Sequence, residues 1–250
     1  MNIARFAFSR VHALYRNRGL IALIVSLGAL AILAVVMGRW GAELLVAATG
    51  TDLGGLLGEP STVVTWQQWM SNLNQIVLLV VAVWAGYTTF TLRRDGAATG
   101  ILTKPRSRAD VLHTSWLVPS LLAIGISALV SLAVAITSNV LYSDTSWGAL
   151  AGSFGLWALN ALVWAAFGSL AGVLAPSMIA AVTVPLVAVL LGGILSALPT
   201  VADHSFVGLF PQSTNILEAT VEPWLAVGTG IAAICIAIYA AGAVFTREDL

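Results

Sequence analysis

Charged residues are scarce in this sequence of 250 residues, of which only 9% are Asp, Glu, Lys or Arg. In soluble domains such residues make up about a quarter of the chain. Here 59% of the residues are hydrophobic, and the mean hydropathy is +0.95. A soluble globular domain is therefore excluded, and lipid is the expected solvent. We expect residues 1–250 to form a single transmembrane domain.

Cysteine and lysine are nearly absent. Cys235 is the only cysteine, which excludes an intrachain disulfide and argues against a cysteine-based metal site. The sole lysine, Lys104, follows Thr103, so the chain lacks the G-x-x-x-x-G-K-[ST] motif of a P-loop ATPase. We therefore expect this chain to hold no cofactor and to perform no covalent chemistry.

The sequence is instead rich in long apolar stretches. A bilayer core about 30 Å thick needs roughly 20 apolar residues in a helix. Six such stretches occur, at 20–38, 73–92, 116–138, 148–174, 178–198 and 224–245. The sequence therefore predicts an all-α membrane protein with six transmembrane helices.

Two segments between these stretches are more polar. We expect a loop over 39–72, with Trp40, Trp66 and Trp69 near its ends, where tryptophan prefers the membrane interface. Residues 199–223 are too polar to span, yet Phe206 and Phe210 make them too apolar for a simple loop. Such a segment could dip into the membrane and return.

Basic residues are distributed unevenly along the chain. Of the 11 Lys and Arg residues, all but Arg39 fall on one side of a six-helix alternation. The positive-inside rule places that side, with both termini, in the cytoplasm of a cell that carries the protein in its cell membrane. Within residues 1–18, Arg5, His12 and Arg16 share one helical face, which predicts an amphipathic interfacial helix. An ordinary positive flank is the alternative.

The six apolar stretches contain no Asp, Glu, Lys, Arg or His. Ion-coupled transporters usually place such residues within the membrane. Their absence argues against proton coupling, although a sodium site built from backbone carbonyls stays open. The energy for uphill transport would then come from a separate ATPase.

The segment at 93–116 holds five of the 11 basic residues. It reads RRDGAATGILTKPRSRADVLHTSW, and its Ser107-Arg108-Ala109-Asp110 matches a capping box. This motif predicts that the third helix begins near Ser107. Glycine, aliphatic residues, proline and arginine follow one another in the order Gly96, Ile101, Leu102, Thr103, Pro105, Ser107, Arg108.

The chain resembles the permeases of the type-2 ABC exporter family. The resemblance rests on the order of residues in this segment, on the six spans and basic N-terminus, and on the ending Phe245, Arg247 and Asp249. The chain departs from the family pattern in two respects. Arg93 and Arg94 stand where an acidic residue is common, with Asp95 nearer to the glycine, and Ala97 follows Gly96 where threonine is frequent.

The resemblance implies that this segment is a cytoplasmic coupling loop held by an ATPase. Its implied contact residues are Arg93, Arg94, Asp95, Gly96, Thr99, Leu102, Lys104, Pro105, Arg106 and Arg108. It also implies a permease homodimer in the lipid bilayer, bound to two copies of a P-loop ABC ATPase that carries the ATP and Mg²⁺. Export is the implied direction, and nucleic acid is not an expected partner. A loop that acts only as a positive topology signal is the alternative.

The run Gly168-Ser169-Leu170-Ala171-Gly172 allows two interpretations. A serine nucleophile would need a histidine base inside the membrane, and the three histidines (His12, His113 and His204) lie in terminal, loop or outer segments. Close helix packing through G-x-x-x-G is the better interpretation, and the same spacing recurs at Gly148 and Gly152.

A substrate pathway is the remaining hypothesis. Its candidate residues lie on the second and fourth stretches: Asn74, Gln75, Trp84, Trp157, Asn160 and Trp164. A buried asparagine among aromatic rings could line a path for an apolar or amphiphilic substrate, and packing against a neighbouring helix is the alternative. For function, the alternative is a membrane-embedded structural or sensory subunit that transports nothing. An intramembrane enzyme is disfavoured by the missing catalytic set.

Overall fold

The computed structural model describes residues 18–50, 59–94, 108–215 and 223–247. Within these ranges the chain is helical and contains no strand. The long helices are α1 (Gly19–Thr49), α2 (Thr62–Arg94), α3 (Arg108–Tyr142), α4 (Trp147–Leu174) and α5 (Met178–Leu195). Next come α6 (Pro199–His204), a 3-10 turn (Phe206–Gly208), α7 (Leu209–Asn215) and α8 (Trp224–Arg247).

Six helices of the described chain are long and apolar enough to cross a membrane: α1, α2, α3, α4, α5 and α8. The six predicted spans are thus confirmed as helices, as expected of a multi-pass membrane protein. The predicted interfacial helix at 1–18 and the loop segment at 95–107 lie outside the described residues, apart from Arg18. The third helix is described from Arg108 to Tyr142, and the predicted cap, Ser107, lies outside the described residues.

The predicted loop over 39–72 is wrong for most of its length. Helix α1 continues past Gly38 to Thr49, through a stretch rich in alanine and leucine, which favour helix. Helix α2 already begins at Thr62, where the Ser61 hydroxyl accepts a hydrogen bond of 3.3 Å from the Val64 amide. The 33 residues of α2 reach about 50 Å at a rise of 1.5 Å per residue, more than a bilayer core requires.

Two of the three tryptophans assigned to the interface are in the core. Trp66 and Trp69 are buried, with exposed fractions of 2% and 0%. Their indole nitrogens donate to the hydroxyls of Ser153 at 2.9 Å and Ser131 at 2.8 Å. These bonds satisfy the polar atom of each ring, so both tryptophans can pack inside the bundle. Trp40 is exposed, in keeping with an interfacial position.

Helices α2 and α4 form the centre of the bundle and approach through glycine. A side chain at Gly168 would collide with the backbone oxygen of Ala82, and one at Gly172 would collide with that of Gly86. The Ser169 hydroxyl lies 3.1 Å from the Thr89 hydroxyl across the same contact. The packing interpretation of Gly168 and Gly172 is therefore confirmed. Gly148 makes no such close contact with the described residues, because nothing lies within 4 Å of where its side chain would begin.

The polar segment after α5 folds back onto the bundle. Its residues Val207, Leu209, Gln212 and Ser213 are buried. Helix α7 packs against α4, and the 3-10 turn packs against α8. Within the described residues, this segment supplies polar groups to the bundle interior.

Candidate functional site

Helix α2 contains one π-helical turn, at Leu73–Val77, where the Leu78 amide bonds to the Leu73 carbonyl. Such turns occur often at functional sites, because the inserted residue redirects its neighbours' side chains. Asn74 lies in this turn and is 8% exposed. Its side-chain nitrogen lies 3.1 Å from the Ser213 hydroxyl, 3.4 Å from the Thr214 hydroxyl and 3.4 Å from the Phe210 carbonyl. Asn74 therefore ties α2 to α7.

Asn160 of α4 faces the same place. It is fully buried, and its side-chain nitrogen lies 3.5 Å from the side-chain oxygen of Asn74, at the outer limit of a hydrogen bond. The Asn160 Oδ1 atom is buried and has no hydrogen-bond partner. A buried amide oxygen without a partner is costly, so this atom is a ready acceptor for a ligand or a water.

Ser153, also on α4, belongs to the same network of hydrogen bonds. Its hydroxyl accepts the bond from Trp66 and donates to the Ser213 carbonyl. Ser213 in turn accepts from Asn74 through its side chain. Three helices, α2, α4 and α7, contribute to this network, and every member is uncharged. We call Asn74, Ser153, Asn160 and Ser213 the polar cluster.

An aromatic cluster borders the polar cluster. The Trp164 ring lies 5.8 Å from Phe167, 5.8 Å from Phe206 and 6.1 Å from Phe210, measured between ring centroids. Gly192 of α5 leaves room for the edge of the same ring. Trp157 packs 5.3 Å from Phe154 and is fully buried. Neither indole N–H has a partner.

The candidate pathway residues thus divide into two groups. Asn74 and Asn160 meet directly, and Trp157 and Trp164 lie within a turn of Asn160 on α4. Gln75 is on the exposed side of α2, where it donates to Ser71 at 3.0 Å. Trp84 is only half-buried and lines a separate groove beside α1.

Ser153 and Ser213 were not expected at this site, and neither was the buried Gln212 beside Ser213 in α7. Serine is common on helical faces, so nothing in the local sequence distinguishes Ser153. The apolar residues of 199–223 signalled a membrane-dipping segment, but not that Ser213 would reach Asn74. Gln212 is 8% exposed, and its Oε1 atom has no partner. A buried polar atom without a hydrogen-bond partner can be recognised only from the three-dimensional structure.

The structure describes the side chains of two coupling-loop residues, Arg93 and Arg94, and their surroundings differ. The Arg93 guanidinium donates to the carbonyls of Val173 at 2.7 Å and Ala175 at 3.1 Å, which close the C-terminal end of α4. The Arg94 guanidinium lies 5.7 Å from the Phe90 ring and is exposed. The side chain of Arg108 and all of Asp95, Gly96, Thr99, Leu102, Lys104, Pro105 and Arg106 lie outside the described residues.

The chemistry available at the site is recognition through neutral polar groups. Among the described residues there is no group of three His, Cys, Asp or Glu side chains placed to hold a metal ion. The hydroxyl of Ser169 has Thr89 as its partner. The polar and aromatic clusters together offer hydrogen bonds and ring surfaces, which suit an amphiphile. No known protein family matches the chain, and no curated protein is similar to it in sequence.

Proposed function

We propose that this chain is the membrane permease subunit of an ATP-driven exporter of the type-2 ABC class. In this proposal it forms a homodimer with two copies of a separate P-loop ATPase, which bind the ATP and Mg²⁺. The basic end of the bundle faces the cytoplasm of a cell membrane, since Arg93 and Arg94 end α2 there. The substrate is apolar or amphiphilic.

The hydrogen bonds from Arg93 carry this proposal. Arg93 is the penultimate residue of α2, so it lies just before residues 95–107 of the coupling loop. Its side chain is hydrogen-bonded to the end of α4. A displacement of the loop would therefore act on two helices at once. Rigid helices with two discrete arrangements are the physical means of such transmission.

Helix α4 links that end of the bundle to the candidate pathway. Asn160 lies 13 residues before Val173 on the same helix, a distance of about 20 Å at 1.5 Å per residue. A tilt of α4 would change the Asn160–Asn74 contact, which is already at the limit of a hydrogen bond. The proposed mechanism is thus a bundle with two states, in which ATP binding at the loop favours one of them.

A non-transporting structural or sensory subunit is favoured by one observation. Asn160 and Trp157 are fully buried, as expected of residues that only hold helices together. In the exporter proposal, their burial represents the closed state of the pathway, and the polar cluster opens when α4 tilts.

The test uses inside-out membrane vesicles that contain the full chain and its partner ATPase. Accumulation of a fluorescent amphiphilic dye should require ATP and Mg²⁺. It should persist when a protonophore collapses the proton gradient while ATP is held constant. Loss of accumulation under the protonophore, with ATP hydrolysis intact, would contradict ATP-driven export. Hydrolysis without accumulation of any amphiphile would favour the non-transporting alternative.

A further inference from the structure

A groove of about 500 Å³ opens on the side of the bundle between α1, α2 and α5. Its walls come from α1 through Leu23 and Leu27, from α2 through Val80, Trp84 and Tyr87, and from α5 through Val182. The volume falls within the range of about 300–1,000 Å³ that is usual for ligand sites. Its lining is almost wholly apolar, so the part of a ligand that lies within it must be apolar too.

One end of the groove is basic. Gly19 lines the groove, and the preceding residue, Arg18, is exposed. On α2, Arg94 follows the groove residue Tyr87 by seven residues, which places both on one helical face about 10 Å apart.

Arg94 turns back toward the groove. Its guanidinium lies over the ring of Phe90, one turn closer to Tyr87. Phe90 packs against Ala181, the neighbour of the wall residue Val182. Arg94 therefore stands beside the α5 wall and Arg18 beside the α1 wall.

The other end of the groove differs. It is formed by Leu30 and Ile76, and the next cation along α1 is Arg39, about 13 Å beyond Leu30 at 1.5 Å per residue. Within the part of the chain that the structure describes, the groove is thus apolar along its length and has positive charge at one end only. Arg93, next to Arg94 in sequence, is directed to α4 instead.

We propose that this groove binds an anionic phospholipid of the surrounding membrane. One acyl chain lies along Leu23, Leu27 and Val80, and the phosphate lies between Arg18 and Arg94. Guanidinium groups bond to phosphate oxygens strongly, and basic sites between membrane helices at the cytoplasmic side favour anionic headgroups. This inference holds whether or not the chain exports anything.

A second copy of the chain is a less suitable occupant. An apolar helix could fill the groove, but it would itself bring no anion to Arg18 and Arg94. On α1 the acidic residue is Glu43, at the end of the helix away from Arg18. Charge complementarity therefore favours the lipid.

The experiment uses the full chain in phosphatidylcholine nanodiscs that contain a variable fraction of brominated phosphatidylglycerol or brominated phosphatidylcholine. Bromine on the acyl chain quenches nearby tryptophan fluorescence. The quenching of Trp84 is the difference between the native chain and Trp84→Phe. We expect half-maximal quenching at a lower fraction of brominated phosphatidylglycerol than of brominated phosphatidylcholine. Each arginine should lower that fraction roughly fivefold.

Two variants separate the headgroup contact from the groove itself. Arg18→Gln with Arg94→Gln should abolish the preference, and both side chains are exposed, so folding should survive. Arg39→Gln removes one cation at the opposite end and should retain the preference. Equal quenching by the two lipids, or a preference that survives the double substitution, would overturn the proposal.

The second copy is tested separately. Ser26 lines the groove and is exposed. If lipid fills the groove, a Ser26→Cys variant in a Cys235→Ser background should form no disulfide-linked dimer on oxidation. Disulfide-linked dimers through position 26 would place another copy in the groove and overturn the lipid assignment.

Discussion

The Arg93 guanidinium lies 2.7 Å from the carbonyl oxygen of Val173, and through this bond the last turn of α2 holds the last turn of α4. The final carbonyls of a helix have no partner within it, and a cation there also opposes the negative end of the helix dipole. Arg93 supplies both effects at the turn that leads into α5.

The first prediction concerns this bond. Arg93→Gln should lower the free energy of unfolding by about 1.5–3 kcal/mol, the usual contribution of hydrogen bonds from a charged group. Arg94→Gln is the matched control, because it removes the same charge from the next residue, where the guanidinium lies over a ring and is exposed. Reversible unfolding in detergent measures the free energy of unfolding of both variants. Equal losses of unfolding free energy in the two variants would show that the hydrogen bonds of Arg93 add no stability beyond that of its charge.

The second prediction concerns the Asn74–Asn160 contact. Replacing each residue by leucine, singly and together, forms a double-mutant cycle. The coupling energy should be about 0.6 kcal/mol, and below about 1.7 kcal/mol, as for other side-chain hydrogen bonds within membranes. Gln75→Leu should show no coupling to Asn160→Leu, because Gln75 bonds to Ser71 on the exposed side of α2. Zero coupling between Asn74 and Asn160 would mean that the bond at 3.5 Å contributes nothing.

The third prediction concerns helix packing. Gly168→Ala should destabilise the bundle by about 1–3 kcal/mol, the usual cost of overpacking, because the added methyl group meets the Ala82 carbonyl. Gly148→Ala makes the same chemical change on the same helix, where nothing lies within 4 Å, and should cause no loss. The yield of folded protein and its thermal unfolding report the difference. Two variants of equal stability would contradict the close approach of α2 and α4.

Several features of the fold were predictable because they depend on nearby residues. Six apolar runs of sufficient length gave six helices, and Ser177 caps α5 by accepting a hydrogen bond from the Ala180 amide at 3.2 Å. The helical start of α2 was missed, because Gln67, Gln68 and Asn72 made it resemble a loop. Those polar residues are tolerated where α2 extends beyond the length of a bilayer core.

The candidate site was only partly predictable. The helical face of Trp157, Asn160 and Trp164 follows from spacing alone, but its contact with Asn74 depends on how α2 and α4 pack at Gly86 and Gly168. Trp66 was assigned to the interface because tryptophan prefers that position, and its actual hydrogen-bond partner, Ser153, lies 87 residues away. Contacts at such separations leave no local pattern in a single sequence.

The central claim is that an ATPase acts on this chain through the shape of the basic loop segment. The most direct measurement is ATP hydrolysis by the partner ATPase, reconstituted with the full chain or with Gly96→Val or Pro105→Ala. Both substitutions keep every charge, but valine disfavours the positive φ that glycine allows, and loss of proline frees the backbone before α3. Gly55→Val, in the segment between α1 and α2, is the matched control.

We predict normal membrane levels for all three variants. Binding and stimulation of the ATPase should be reduced for Gly96→Val and Pro105→Ala and unchanged for Gly55→Val. Unchanged stimulation by both loop variants, or a chain that purifies with no P-loop ATPase, would contradict the account and leave the segment as an orientation signal.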